Sequence, residues 1–238
     1  MDLRCLAKWA GVFLAVSVPR AAFADSAYYL EGRAGVVAAR GNSIPQFAAV
    51  SFAVAPNPGW SVAATAGYQF SQPFRLGIEV GHQRNPSRGT YVENIQLRIF
   101  PPCGQPIRPC FDSQVTGGLS ATSLVAMGYY ELDNEGRWHF SIGAGLGATR
   151  LGLKARSLSR FLDGTSRPFS LINSVQTVFT GRGTVEVAYV LGSRTSLVAN
   201  YGFSLANTAK FEGAGNLAFQ YRHNPLSHGL SFCVRYSL

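Results

Sequence analysis

Apolar and polar residues alternate along this chain in segments of about ten residues, and this alternation constrains the fold more than any other feature. From Trp60 to Phe70, apolar residues recur at every second position and alternate with Ser61, Thr65 and Gln69. Successive side chains of a strand point to opposite faces, so a period of two predicts strands with one apolar face. About ten residues is also the length that a tilted strand needs to cross a bilayer. Eight segments follow the pattern: 28–37, 60–70, 74–83, 120–132, 138–149, 179–190, 196–206 and 229–238.

The connections between these segments alternate in length. Short connections fall at 71–73, 133–136 and 191–194, and long ones at 38–59, 84–118, 150–175 and 206–228. Short turns at one end and long loops at the other predict an all-β fold, an eight-stranded antiparallel up-and-down transmembrane β-barrel. The segment 90–100 also alternates, through Ile95, Leu97 and Ile99, so we expect the strands to extend above the membrane as a hairpin here; a ten-stranded barrel that uses this segment is the alternative topology. A soluble barrel or sandwich with an apolar interior is the alternative fold class.

The polar faces of the predicted strands carry charges of both signs and several glycines. The charged residues that share this face are Glu31, Arg33, Arg75, Glu79, Arg182, Glu186 and Arg235. The interior of an eight-stranded barrel is only wide enough for side chains to fill. We therefore expect these arginines and glutamates to pair as a polar network in the lumen, and a conducting path between them is the less favoured alternative.

One segment, 120–132, leaves its register open because both of its faces carry apolar residues. We expect Val125, Met127 and Tyr129 to point outward. Aromatic residues near strand ends, such as Trp138 and Tyr236, suit the two membrane interfaces.

The first 24 residues have the pattern of a secretory signal peptide. Arg4 and Lys8 precede an apolar run, and the sequence Ala-Phe-Ala at 22–24 offers small residues for cleavage near Ala24. Residues 25–238 are then expected to form one outer-membrane β-barrel domain. No stretch of this domain approaches the roughly 20 apolar residues of a membrane-spanning helix, which excludes a helical membrane protein.

The cysteines suggest one disulfide. Cys103 and Cys110 enclose six residues in the second long loop, and an exported chain folds in an oxidising compartment, so we expect them to bond and to rigidify this loop. The enclosed segment lacks histidine and carboxylate side chains, and we therefore expect neither a metal site nor a cofactor. Cys233 has the parity of the polar face and is expected to be a buried free thiol.

The long connections are rich in basic residues. They contain Arg40, Arg84, Arg88, Arg98, Arg108, Arg150, Lys154, Arg156, Arg160, Arg167, Lys210 and Arg222, against Glu93, Asp112, Asp163 and Glu212. Arginine forks suit phosphate groups, so we expect contacts with outer-membrane lipids and lipopolysaccharide, with Arg156 and Arg160 as the candidates. A general solvated rim is the alternative. Nucleic acid is a poor partner because the charge is spread over loops outside the cell.

Two stretches resemble a known family. The hairpin "SLVAMGYYELDNEGRWHFSIGAGLGATRL" at 123–151 is similar to the central hairpin of the small bacterial outer-membrane β-barrel family, which includes opacity-type proteins and surface antigens. The segment "GLSFCVRYSL" at 229–238 resembles the assembly signal of outer-membrane proteins, in which Phe232 and Tyr236 match and Leu238 departs from the usual Phe. The resemblance implies the barrel fold, the outer membrane of a Gram-negative bacterium, and recognition of the last strand by the barrel assembly machinery. It implies no shared catalytic residues.

The segment "YRHNPLSHGL" at 221–230 raises the question of catalysis. Lipid A deacylases are also small barrels with a His, a Ser and a Glu near the outer rim, and His223, Ser227 and His228 offer similar groups. Their spacing does not reproduce the His-x-Ser-Asn pattern of those enzymes, and Glu212 or another loop residue would have to orient the base. We therefore predict no enzyme but a structural or surface-interaction protein. A narrow porin is the alternative, a lipid A-modifying hydrolase is less favoured, and the sequence identifies no host or surface ligand.

Overall fold

The computed structural model describes residues 27–40, 50–70, 73–93, 111–132, 136–160, 166–213 and 220–238, and within them the chain is all-β. The strands are β1 (Ala27–Ala39), β2 (Val50–Pro56), β3 (Gly59–Gln69), β4 (Phe74–Glu93), β5 (Phe111–Glu131), β6 (Trp138–Arg160), β7 (Ser166–Val190), β8 (Thr195–Ala206), β9 (Ala209–Glu212), β10 (Gln220–His223) and β11 (Leu226–Ser237). None of the described residues forms a helix long and apolar enough to cross a membrane.

Eight of these strands close into a barrel. Their order is β1, β3, β4, β5, β6, β7, β8 and β11, every neighbouring pair is antiparallel, and β11 pairs back to β1 from Tyr29↔Ser237 to Ala39↔Ser227. The predicted eight-stranded barrel is confirmed. The ten-stranded alternative is wrong, because residues 90–93 continue β4 and start no new strand; Ile95, Leu97 and Ile99 lie outside the described residues.

The two ends of the barrel differ. At one end, which we call the turn end, neighbouring strands are joined by short turns, and Gly136 adopts a φ of 87°, which favours glycine. At the other, the hairpin end, β4 pairs with β5 as far as Glu93↔Phe111 and β6 with β7 as far as Arg160↔Ser166. The described parts of the predicted long loops 84–118 and 150–175 are therefore strand.

The strands at the hairpin end extend far beyond the length of a membrane crossing. β6 has 23 residues, about twice the number that a tilted strand needs to span a bilayer. The short strand β2 pairs with the upper part of β4, and β9 pairs with β10, so both continue the wall of the barrel above its shorter strands. The hairpin end therefore projects as a folded sheet.

The exterior of the turn-end half is apolar and its interior is polar. The outward side chains of Phe232, Leu146 and Ile78 are 68%, 61% and 59% exposed, whereas the inward Glu79 and Glu186 are fully buried. A soluble barrel or sandwich would have the opposite arrangement, so that alternative is wrong. An apolar band around a polar interior is the arrangement of a transmembrane barrel.

This arrangement reverses along β6 without any change of period. Outward positions up to Ala148 are apolar, and the outward positions above them begin with Arg150. Inward positions up to Thr149 are small or polar, and those above them begin with Leu151, which is buried. The solvent around the strand therefore changes from lipid to water between Ala148 and Arg150.

The register of β5 is opposite to the expectation. Val125, Met127 and Tyr129 point into the barrel and are 1%, 2% and 3% exposed, so the outward placement was wrong. The cause lies in β6, where a Cβ on Gly145 would come within 2.3 Å of the Met127 sulfur and one on Gly143 within 2.6 Å of the Tyr129 ring. The glycines on the inner face of β6 leave the space that these large side chains fill.

Candidate functional site

The polar network fills the middle of the barrel and contains all seven charged residues that the alternation placed in the lumen. They come from four strands: Glu31 and Arg33 from β1, Arg75 and Glu79 from β4, Arg182 and Glu186 from β7, and Arg235 from β11. Each lies at an inward position because its strand alternates without interruption through that point. The structure joins these residues by ion pairs across the lumen.

Glu186 is the centre of this network. Its carboxylate accepts hydrogen bonds from Arg75 at 2.7 Å and Arg235 at 2.6 Å, and Arg33 lies 3.4 Å away. Ser141 on β6 and Asn200 on β8 donate further bonds, each of 3.2 Å. Five side chains from five strands therefore converge on one carboxylate, which ties opposite walls of the barrel together.

The remaining carboxylates complete the pairing. Glu31 accepts from Arg33 at 2.7 Å and from Arg235 at 3.1 Å. Glu79 lies 3.1 Å from Arg33 and also pairs with Arg182. Buried charges are stable only when they are paired and hydrogen-bonded, and this condition holds for all three glutamates.

Sequence reasoning missed one member of the network, Glu131. It follows the inward parity of β5, and its carboxylate lies 3.8 Å from Arg75 and accepts a hydrogen bond of 3.2 Å from Gln69. With it, four arginines meet four glutamates and the described network is neutral. The expected register of β5 concealed this residue, because a register with Tyr129 outward also places Glu131 on the outer face.

Two tyrosines lie against the guanidinium of Arg75. The centre of the guanidinium lies 5.0 Å from the ring of Tyr29 and 4.2 Å from that of Tyr129. Such contacts are attractive because the ring face is electron-rich. Arg75 is fully buried, so these rings and the carboxylates exclude water from the lumen at this level.

An apolar cluster fills the interior on the side of the hairpin end. It consists of Leu119, Ala121, Leu151, Leu153, Ala155, Ile172, Val178, Ala209 and Phe211, and Ala39 and Ala206 pack against it. Phe211 and Ile172 are completely buried, and the short strand β9 carries Phe211 into the lumen. A pocket of about 80 Å³ is lined by residues of both groups, among them Arg33 and Arg182 of the polar network and Leu151 of the apolar cluster, and by Thr180.

The structure separates Ser227 from His228, two of the residues considered for hydrolysis. Ser227 points into the barrel and is 9% exposed, whereas its neighbour His228 points outward, where its ring packs against Tyr201. His223 is buried on β10, and Glu212 is exposed on the adjacent strand β9. A serine and a histidine on opposite faces of one strand cannot share a proton, so His228 cannot act as the base for Ser227.

The other candidate residues lie on the outer face of the barrel, in its interior or outside the described part of the chain. Arg156 is exposed on the outward face of β6, and Arg160 is the last residue of that strand, with its side chain outside the described part. Cys103, Cys110 and the predicted signal peptide also lie outside the described residues. Cys233 is a free, buried thiol, as expected. Among the described residues, no cluster of three or more metal-binding side chains occurs.

The comparisons with known proteins concern the fold. No protein-family model and no curated protein matches the sequence. Neisserial surface protein A is 18% identical with a TM-score of 0.52, over 88% of this chain and 96% of that one. OprG of Pseudomonas aeruginosa is 12% identical with a TM-score of 0.48, over 88% and 95%. A major outer membrane protein of Thermus thermophilus is 13% identical with a TM-score of 0.47, over 89% and 99%.

At these identities a structural likeness establishes the architecture only, and the likeness to the neisserial protein supports that architecture. It agrees with the closed, eight-stranded antiparallel barrel. The chain therefore has the fold of the small bacterial outer-membrane β-barrels.

Proposed function

We propose that this protein is an integral outer-membrane β-barrel with a sealed interior, which has a structural or surface-interaction role through its hairpin end. The observation that carries the proposal is the filling of the lumen. The polar network, with Tyr29 and Tyr129 against Arg75, fills the middle of the barrel, and the apolar cluster fills the interior on the side of the hairpin end. A solute would have to separate buried ion pairs and then cross a dry apolar layer.

Planar bilayer recordings test whether the barrel conducts. The purified protein is first shown to be folded by the heat-dependent shift of its band in a detergent gel, and single-channel currents are then recorded. We expect no steps from the wild type. A variant that combines Glu79→Ala, Arg182→Ala and Phe211→Ala removes an interior ion pair and the largest member of the apolar cluster, so it should conduct and would show that the assay detects an open lumen.

A narrow porin is the second candidate. It is favoured by the cavity beside Arg182, whose side chain retains 21% exposure in an otherwise buried network. If the pair of Arg182 and Glu79 opened, this cavity would become part of a polar path. Stable current steps from the wild type, abolished by a blocking substitution such as Gly81→Phe at the cavity wall, would assign the protein to this class instead.

Catalysis is not part of the proposal. The separation of Ser227 from His228 argues against a lipid A-modifying hydrolase. Mass spectrometry of lipid A from cells with and without the protein should show the same acyl chains, and chain loss that disappears with Ser227→Ala would overturn this judgement.

Export and assembly belong to the same proposal. It includes cleavage of residues 1–24 near Ala24, a disulfide between Cys103 and Cys110, and delivery of β11 to the barrel assembly machinery. β11 supports the last step because it closes the barrel against β1 and exposes Phe232 and Val234 to lipid. N-terminal sequencing of the protein from outer membranes should begin at Asp25, and full-length protein retained in the inner membrane would contradict this route.

A further inference from the structure

We propose that the outward face of the β4–β7 sheet, just above the lipid-facing band, binds the phosphate groups of lipid A. The site consists of Arg84, Arg150, Lys154 and Arg156, which we call the outer cationic patch. All four are exposed. The inference rests on the membrane placement proposed above and names the ligand chemistry of that surface.

The geometry concentrates these cations. Arg150, Lys154 and Arg156 share the outward face of β6, where alternate residues lie about 7 Å apart. Arg84 lies two strands away and pairs with Ser120 of β5, which pairs in turn with Gly152 of β6. Neighbouring strands are about 4.8 Å apart, so Arg84 is about 10 Å from β6 and its side chain can reach the same ligand.

The floor between the cations consists mostly of small residues and hydrogen-bond donors, and Val175 of β7, opposite Gly152, is its apolar member. On β5, Thr116 lies opposite Arg156, Gly118 opposite Lys154 and Thr122 opposite Arg150. On β7, the corresponding residues are Ser170, Asn173 and Thr177. Gly118 and Gly152 carry no side chain, so neither position adds a bulky group between the cations. Hydroxyl and amide donors between guanidinium and ammonium groups suit a phosphate, whose oxygens accept several bonds at once.

No carboxylate neutralises the patch within the described outward positions of these four strands. Four like charges on one face repel one another, and that repulsion is relieved when an anion binds. The β9–β10 hairpin differs in this respect. Its two exposed cations, Lys210 and Arg222, lie opposite each other, but Glu212 shares their face.

The position of the patch directly above the apolar band favours a lipid over a soluble anion as the ligand. Ala148 precedes Arg150 on the same face and pairs with Leu124 and Phe179, which are 56% and 54% exposed at the top of the apolar band. An amphipathic ligand could therefore place its acyl chains against the band and its phosphates on the cations immediately above. The phosphorylated head group of lipid A, in the outer leaflet, has this form.

Isothermal titration of the folded protein in neutral detergent tests the assignment, with bisphosphorylated lipid A, the same lipid A after dephosphorylation, and inorganic phosphate as probes. The test variant combines Arg150→Gln, Lys154→Gln and Arg156→Gln. We expect it to bind bisphosphorylated lipid A about tenfold more weakly than the wild type. One control combines Arg137→Gln and Arg194→Gln, which are exposed at the turn end, and the other combines Lys210→Gln and Arg222→Gln. Both should stay within about twofold of the wild type.

Four outcomes would overturn the inference. Unchanged affinity of the test variant would remove the patch from the contact, equal losses in the controls would show only diffuse attraction by a basic surface, and equal binding of dephosphorylated lipid A would assign the contact to acyl chains. Inorganic phosphate that bound as tightly as lipid A would show a site for free phosphate and would also refute a lipid ligand. Failure of the wild type to fold in lipid vesicles would instead refute the proposed function, so the two failures are distinguishable.

Discussion

Replacing Glu186 by glutamine removes one negative charge from the centre of the polar network and should destabilise the folded barrel by about 3 to 5 kcal/mol. The side chain is fully buried and lies 2.7 Å from Arg75, 2.6 Å from Arg235 and 3.4 Å from Arg33. Two of these contacts are short, and a hydrogen bond to a charged group contributes about 1.5 to 3 kcal/mol. Glutamine keeps the shape of the side chain, so the loss reports charge and not packing.

Two further variants separate the contribution of charge from that of single hydrogen bonds. Ser141→Ala removes one bond of 3.2 Å to the same carboxylate and should cost only about 1 kcal/mol. Adding Arg235→Gln to Glu186→Gln restores the balance of charges in the network. The double variant should therefore be less destabilised than the sum of the two single variants, by about 2 kcal/mol.

Urea unfolding in lipid vesicles measures these differences as free energies of unfolding, followed by tryptophan fluorescence and by the gel shift of the folded barrel. All variants are compared in vesicles of one composition. A Glu186→Gln barrel within about 1 kcal/mol of the wild type would refute the argument that mutual pairing holds the interior charges. Strict additivity in the double variant would refute it independently.

Five other substitutions probe packing and membrane depth, and urea midpoints measure each. Gly67→Ala should destabilise the barrel and Gly32→Ala should not, because a Cβ at Gly67 would lie 2.4 Å from a tyrosine ring whereas one at Gly32 meets nothing within 4 Å. Phe211→Ala should cost about 3 to 5 kcal/mol, since this buried ring is the largest side chain of the apolar cluster. Arginine should cost about 2 to 4 kcal/mol at Ala144 but about 0 to 1 at Ala148, and equal costs would contradict the placement of the membrane edge.

The polar network could be predicted because it depends on parity alone. Along β1 and β7 the side chains alternate without a bulge through Glu31, Arg33, Arg182 and Glu186, so the face of each residue follows from its position in the sequence. Which arginine meets which glutamate depends on how the strands are staggered around the barrel. The stagger is a property of the closed sheet, so the sequence of a single strand does not determine it.

β5 could not be placed because its alternation is weak. Val125, Met127 and Tyr129 on one face and Leu124 and Tyr130 on the other are all large, so hydrophobicity does not distinguish lumen from lipid. The decision comes from the neighbouring strand, whose inward glycines leave room for side chains of this size. The volumes of side chains on adjacent strands therefore decide the register where polarity does not. The row of glycines on β6 shows this in the sequence.

The predicted segment 138–149 is shorter than β6 because a lipid-facing strand is recognised by apolar residues on one constant face. In β6 the apolar residues change faces at the membrane edge, from Leu146 and Ala148 outside to Leu151 and Leu153 inside, while the period of two continues. Uninterrupted alternation, whichever face is apolar, predicts one long strand in place of a strand and a loop.

This reversal also connects the seal of the lumen with the outer cationic patch. A strand that leaves the bilayer needs polar groups outside, where Arg150, Lys154 and Arg156 now meet water and head groups. At the same level, water and not lipid surrounds the wall of the barrel. An apolar interior is then the stable arrangement, as in a soluble barrel. One change of solvent thus places cations on the exterior and the apolar cluster in the interior at the same height. An outer surface that attracts phosphates and a lumen closed to solutes are therefore expected together in this chain.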